Sequence, residues 1–540
     1  MVLWLCLWAA SDFVLDESSK KLGIDFTYQN GAYGEFFFPE ITGGGVALFD
    51  YDQDGDLDLF LVQGGWLGPS DHPKASEFNS LSGRLYRNTL EDGVLGFVDH
   101  TQKAGFKSFT YGQGVAVGDI DGDGDLDLYI TAFGANQMWR NLGNGRFEDI
   151  SAASGTADTG WGTSATFVDY DGDGWQDLYV CNYIQFNLAH NPKCFAPNSA
   201  RDYCGPDCCP AAADKLFRNK GDGTFEDVSG LLNVPVRGAG LGVLAFDYDL
   251  NGTLDLMVAN DGDANELWHN HGTHLEEMGL ILGVSLSGSG LPEASMGVAA
   301  ADFDRNGFPD LFLTHLDTES NTYYENTGKG YFRDRTAALG LAAPSLPYTG
   351  FGTVAVDLNM DGWMDLVCVN GAVHSQSGLD AHGESSVFRQ TNQIYINDHG
   401  SRFDLVATGG AFDAALISRG LAAGDLDNDG DADLVVVNLN EPVQVFINQL
   451  SLWNWIGIDV RNKAAGPAIG ATVSCQLAGE KAQTAWVHTD GSYASASDPR
   501  VLFGLGDQTA IQEIKVQYLG EVKTLATPNP NQYHSVTFDR

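Results

Sequence analysis

A chain of 540 residues that is 43% hydrophobic can bury a large core, and 66 glycines among few helix-like stretches point to many turns and short strands, so all-β is the default class. The formal charge of -43 argues against nucleic acid or an anionic membrane surface as partner, because phosphates would be repelled. No apolar run approaches the length of a membrane-crossing helix.

The chain opens on a short apolar run, Met1 to Ser11, with small residues at its end and no basic start. It reads as a shortened secretory signal, with a buried first strand as the alternative. An isolated strand pattern follows, Phe13-Val14-Leu15-Asp16 and on to Gly23. The nine residues from Asp50 to Asp58 then introduce a pattern, D-x-[DN]-x-[DN]-G-x-x-D followed at once by Leu, that returns at Asp119, Asp169, Asp247, Asp302, Asp357 and Asp425.

Side-chain oxygens at positions 1, 3, 5 and 9, with the carbonyl of position 7, can converge on one hard cation, because glycine at position 6 lets the backbone double back. The predicted ligand sets are Asp50, Asp52, Asp54, Asp56 and Asp58; Asp119, Asp121, Asp123, Asp125 and Asp127; Asp169, Asp171, Asp173, Trp175 and Asp177; and Asp247, Asp249, Asn251, Thr253 and Asp255. The last three are Asp302, Asp304, Asn306, Phe308 and Asp310; Asp357, Asn359, Asp361, Trp363 and Asp365; and Asp425, Asp427, Asp429, Asp431 and Asp433. Ca²⁺ suits such oxygen sets best, since Mg²⁺ demands a strict octahedron and Zn²⁺ prefers His and Cys. An EF-hand would need Glu at position 12, where the first loop has Leu61. The flanks, such as Gly45 to Phe49 and Leu59 to Val62, are β-like, so each loop is read as a hairpin turn. The loops hold 28 of the 72 acidic residues, and seven Ca²⁺ would reduce the formal charge from -43 to about -29. Three loops replace one carboxylate with Asn251, Asn306 or Asn359 and are expected to bind more weakly.

After each loop comes an apolar pair, one residue, then Asn: Leu85 to Asn88, Met138 to Asn141, Leu216 to Asn219, Leu267 to Asn270, Tyr323 to Asn326, Ile394 to Asn397 and Val445 to Asn448. A Phe-x-Asp type strand follows in six of the seven units, and Asn448 lacks one. Four strands per unit at this spacing predict a seven-bladed β-propeller over residues 12–450, with the isolated N-terminal strand completing the last blade. Longer connections at about Gly64 to Gly83, Asn182 to Asp214 and Asn370 to Gln390 fall at one equivalent place, so they should crowd one face, as a binding surface or as plain loops. Cys194, Cys204, Cys208 and Cys209 lie in the second of these and suggest a disulfide, with three pairings open and a zinc cluster as the alternative. Cys181, Cys368 and Cys475 read as small apolar strand residues.

Beyond residue 450 the loops stop and five strand patterns alternate, predicting a small β-sandwich over 451–540 with its own core, expected to separate as a unit.

The loop pattern, with G-x-G-V-A before it, resembles the FG-GAP/VCBS repeat of integrin α-subunit propellers and bacterial surface proteins. Gly491 to Arg500 followed by Phe503-Gly504-Leu505-Gly506 looks like the ASPIC/UnbV domain, so the whole chain is similar to the cartilage acidic protein/UnbV-like family. That resemblance implies an extracellular or exported protein, secreted or at the cell surface or periplasm, with adhesion as its suggested role. Arg201 to Pro206 fits the family and Cys208-Cys209 departs from it. Ser492, Tyr493, Ser495, Asp498 and Arg500 form either a ligand site or a turn network.

The resulting expectation is a secreted Ca²⁺-binding propeller that binds an extracellular protein or glycan, with no catalysis required. The alternative is a calcium-dependent polysaccharide lyase or hydrolase, with His190, His374 or His382 as base and Tyr183 or Tyr203 as acid.

Overall fold

The computed structural model describes residues 13–78, 81–107, 110–197, 199–232, 238–272, 274–375, 386–450 and 453–539. The proposed signal segment and His382 lie outside them. Four antiparallel strands form the first sheet, Val46–Phe49, Asp58–Leu61, Arg84–Asn88 and Phe97–Asp99, in chain order. Five further sheets repeat that order within 111–149, 162–227, 240–277, 298–334 and 350–406. In a further sheet Ser418–Gly424, Asp433–Asn438 and Gln444–Asn448 receive Leu15–Glu17 as the outer strand, with Leu15 opposite Asn448 and Glu17 opposite Phe446. The N-terminal strand therefore joins the two ends of the repeat array, which removes an open edge.

The hydrophobic layers show how the sheets stand. Phe49, Phe60 and Leu85 of the first sheet pack with Val117, Leu128 and Trp139 of the second. Similar layers join each sheet to the next in order. A last layer packs Leu426, Val435 and Val437 against Leu48, Leu59 and Leu61, returning to the first sheet. The ring is thus closed and propeller-like.

The C-terminal part holds a three-stranded sheet (Val501–Gly506, Asn454–Arg461, Tyr533–Thr537) and a four-stranded one (Gln483–Trp486, Thr472–Leu477, Ile511–Tyr518, Glu521–Ala526). Ile456, Ile458 and Phe503 of the first pack on Val473, Ile514 and Val516 of the second. Two of these strands lack a clear apolar alternation: Val501–Gly506 lies under the Gly-rich motif, and Glu521–Ala526 is half-exposed and charged.

Separation as an independent unit does not follow. Residues 489–498 run into the ring and bond to its inner strands. Val298 exchanges backbone bonds with Ser492, Ala494 accepts from Val115, and Ala496 bonds Val46 and Leu48. Asp490 Oδ2 accepts from Thr166 Oγ1 and Ala245 N, Ser492 Oγ donates to Leu421 O, and the Tyr493 ring meets Phe351. All seven sheets are touched, and residues 492–496 are 1–6% exposed. The residues read as either a ligand site or a turn network are therefore a plug in the axis, anchored at its base by Arg500, which donates to the Asp425 carbonyl and to Asn428 Oδ1.

Candidate metal centres and the insertion face

Each loop joins the first two strands of its sheet, and the residue before position 1 pairs with position 9: Phe49 with Asp58, Gly118 with Asp127, Gly424 with Asp433. Glycine at position 6 has φ between +87° and +97° in all seven loops, the left-handed bend that doubles the chain back. Its N–H donates to the position-1 carboxylate, as Gly55 does to Asp50 and Gly430 to Asp425. The position-5 side chain accepts from the position-7 N–H, for example Asp56 to Asp54, Trp175 to Asp173, Phe308 to Asn306 and Trp363 to Asp361. This turn fixes Asp125, Thr253 and Asp431 in the same way.

Position 9 is buried and carries the fold as well as charge. Asp127 accepts from Ile120 N and Asn141 N, and Asp58, Asp177, Asp255, Asp310, Asp365 and Asp433 do the same with their own loop and Asn. The Asn then donates from Nδ2 to the position-2 carbonyl of the preceding loop: Asn141 to Tyr51, Asn219 to Ile120, Asn270 to Tyr170, Asn326 to Tyr248, Asn397 to Phe303, Asn448 to Leu358 and Asn88 to Leu426. What read as a turn residue is a staple between neighbouring sheets.

Donor oxygens of Asp50, Asp52 and Asp58 lie within 4.8 Å of one another, as do those of Asp119, Asp121 and Asp127 and of Asp169, Asp171 and Asp177. Buried Oδ1 atoms of Asp52, Asp121, Asp427 and Asp431, and Oδ2 of Asp56, have no protein hydrogen-bond partner. A carboxylate oxygen left so, facing other carboxylates, fits a hard cation. Burial first, and neighbouring carboxylates, push these groups up: Asp50, Asp119, Asp169 and Asp247 to about 6, Asp302 and Asp425 to about 7, Asp177, Asp255 and Asp357 to about 8. A divalent cation inverts that cost.

The residue just before the stapling Asn overhangs the loop and differs from sheet to sheet. Arg87 donates to Asp52 Oδ2 at 2.8 Å and to Asp54 Oδ2 at 2.9 Å, and Arg140 stands 4.0 Å from Asp121. Its counterparts are Arg218, His269, Glu325, Ile396 and Ile447. His269 Nδ1 is 3.0 Å from Asp255 Oδ1. The C-terminal domain adds Tyr533, whose hydroxyl donates to Asp425 Oδ2 at 2.7 Å.

On the insertion face, Glu35 O accepts from Asn191 Nδ2 and Arg201 Nη2, Phe36 meets the Tyr203 ring, and Ser375 donates to Asp202. Residues 33–40 thus tie the first and second insertions together, through Tyr33 beside Trp66 and through Glu35 and Phe36, and Ser375 ties the third to the second. The Tyr203 hydroxyl donates to Glu40 Oε2 at 2.8 Å and that of Tyr183 to Asp261 Oδ2. These buried phenols face carboxylates rather than the exposed His190 or the half-buried His374. Burial holds Glu40 up at about 7. Cys194 and Cys204 are disulfide-bonded, Cys208 and Cys209 lie side by side with their Sγ atoms 3.1 Å apart, and Cys181, Cys368 and Cys475 are buried thiols. Half-buried Tyr33, Trp66, His72 and Phe78 form an aromatic group at one side of this face, with Trp66 4.7 Å from Tyr33 and stacked on His72.

Two families match the chain. The FG-GAP-like repeat covers residues 50–130, 119–180, 247–313 and 302–368, and ASPIC and UnbV covers 461–539. Cartilage acidic protein 1 of Mus musculus is 26% identical over 497 residues, spanning 86% of this chain and 69% of that protein. The Homo sapiens protein is 25% identical over 499 residues, spanning 86% and 67%. Among solved structures, an Agrocybe aegerita lectin described as recognising non-reducing terminal N-acetylglucosamine aligns over 74% of this chain and 86% of its own, at 15% identity and a TM-score of 0.39. Among the described residues no helix is long and apolar enough to cross a membrane. The chain is an FG-GAP-repeat protein with a C-terminal ASPIC/UnbV domain, similar over most of its length to cartilage acidic protein 1.

Proposed function

We propose that this protein is an extracellular Ca²⁺-stabilised binding module that takes a glycan or protein ligand on its insertion face. The seven acidic loops would hold Ca²⁺ through positions 1, 3, 5 and 9, and the orphaned oxygens of Asp52, Asp121 and Asp427 support that reading. The ion would supply charge compensation and rigidity rather than chemistry. Secretion agrees with the disulfide of Cys194 and Cys204 and with the relatives named cartilage acidic protein.

The observation that carries the ligand face is the aromatic group of Tyr33, Trp66, His72 and Phe78, half-buried at the margin of three interlocked insertions. Rigid rings with one wet side offer large contact area at little entropic cost. The test is an array of glycans and matrix proteins probed in Ca²⁺ and in chelator, with wild type and Trp66→Ala. Saturable binding that Trp66→Ala abolishes without lowering the melting temperature is expected. Binding indifferent to Trp66, or turnover of a polysaccharide on the array, would refute it.

A further inference from the structure

The turn after the third strand of the 240–277 sheet reads His269-Asn270-His271-Gly272-Thr273-His274-Leu275-Glu276, placing three of the chain's 12 histidines within six residues. The His271 and His274 rings stack 4.5 Å apart at 13°, and His271 Nε2 lies 2.9 Å from Glu276 Oε2. One donor atom from each of His271, His274 and Glu276 falls within 4.8 Å of the others, and all three side chains are exposed. We propose that this turn is a transition-metal site of the zinc class, ligated by His271, His274 and Glu276.

The chemistry differs from that of the acidic loops. Two imidazoles and a carboxylate are the donors Zn²⁺ prefers, and Ca²⁺ does not choose imidazole. Donors 2.0–2.1 Å from a tetrahedral ion stand about 3.3 Å apart. The contact between His271 and Glu276 needs to widen by only a few tenths of an ångström to reach that separation. Strand pairing holds both ends of the turn, since Asn270 is opposite Leu275 and His269 opposite Glu276. Three protein ligands leave a fourth position for water or for a donor on a bound partner, the arrangement of open rather than structural zinc sites. His269 stands behind the site, its ring 4.4 Å from that of His271 while its Nδ1 faces Asp255 of the acidic loop. A borderline cation and a hard one would therefore sit on either side of one imidazole.

Full-length protein saturated with Ca²⁺ and stripped of transition metals is titrated with Co²⁺ and followed by visible absorption. One Co²⁺ per chain with the strong band of four-coordinate cobalt is expected, displaced by one Zn²⁺. His271→Ala/His274→Ala should lose the band while its melting curve in Ca²⁺ is unchanged, and Glu276→Gln should weaken Zn²⁺ binding at least tenfold. Absence of a saturable band, its survival in the double variant, or a six-coordinate spectrum displaced by excess Ca²⁺ would each overturn the proposal. The last outcome would place the ion in the acidic loops.

Discussion

Position 6 of each loop was legible because glycine announces a left-handed bend, but position 4 bends the same way and was not. Gln53, Leu250, Arg305, Met360 and Asn428 all have φ between +53° and +60°, and only Gly122 and Gly172 advertise the conformation. A side chain there is strained by about 1–2 kcal/mol, partly offset by the entropy glycine loses on folding. Leu250 is exposed and adds little packing, so Leu250→Gly should stabilise the Ca²⁺-loaded protein by about 0.5–1 kcal/mol in chemical denaturation. A loss of stability would show that the leucine has a contact that outweighs the strain. The stapling asparagines were equally hidden, because the carbonyl that Asn141 holds belongs to Tyr51, 90 residues earlier. A local pattern shows a turn; it does not show which distant loop the side chain reaches.

On the Ca²⁺ reading proposed above, the strength of an acidic loop would depend on what overhangs it as well as on its carboxylate count. The sequence ranked the first loop among the strongest because it has a full set of carboxylates, yet Arg87 lies across Asp52 and Asp54 and competes for the same charge. The loops beside Ile396 and Ile447 have other neighbours: Arg305 donates to the Gly362 carbonyl of one, and Arg500 and Tyr533 donate to Asp425 of the other. Arg87→Ala is expected to tighten one Ca²⁺ site about tenfold, or about 1.4 kcal/mol, in calorimetric titration. An unchanged isotherm would place the arginine outside the binding energetics. The same loops set the pH response. Their carboxyl groups keep protons up to about 6 to 8 in the fold, against the ordinary 3.8. Between those values the folded state binds more protons than the unfolded one, so stability falls as pH rises. In chelator the melting temperature should therefore drop from pH 5 to pH 8, and excess Ca²⁺ should cancel the drop. A melting temperature that rises with pH in chelator would contradict the burial of these groups.

At the scale of the molecule, the ring and its N-terminal clasp were legible because the repeat is out of phase at its two ends, with Phe13 to Asp16 supplying what Asn448 lacks. The plug was not, because Gly491 to Arg500 is polar and turn-rich and carries no mark of its partners. Deleting residues 453–540 should consequently be at least as harmful as deleting 13–24, since it uncovers the axis-facing backbone of Val46, Leu48, Val115 and Val298. Expression of both truncations in Ca²⁺, compared by solubility and melting, checks this; a soluble ring of full stability without the C-terminal domain would make the plug dispensable. The clasp also has a consequence in time. Leu15 pairs with Asn448, so the N-terminal strand of the ring waits for nearly the last residue of the ring, some 430 residues later. At 5–20 residues per second that delay is roughly 20 to 90 s. Throughout it the nascent array is an arc with two unpaired ends, one of them free to pair with another copy's growing edge. Crowding of nascent chains on polysomes would then contribute to how much of this protein is lost to aggregation.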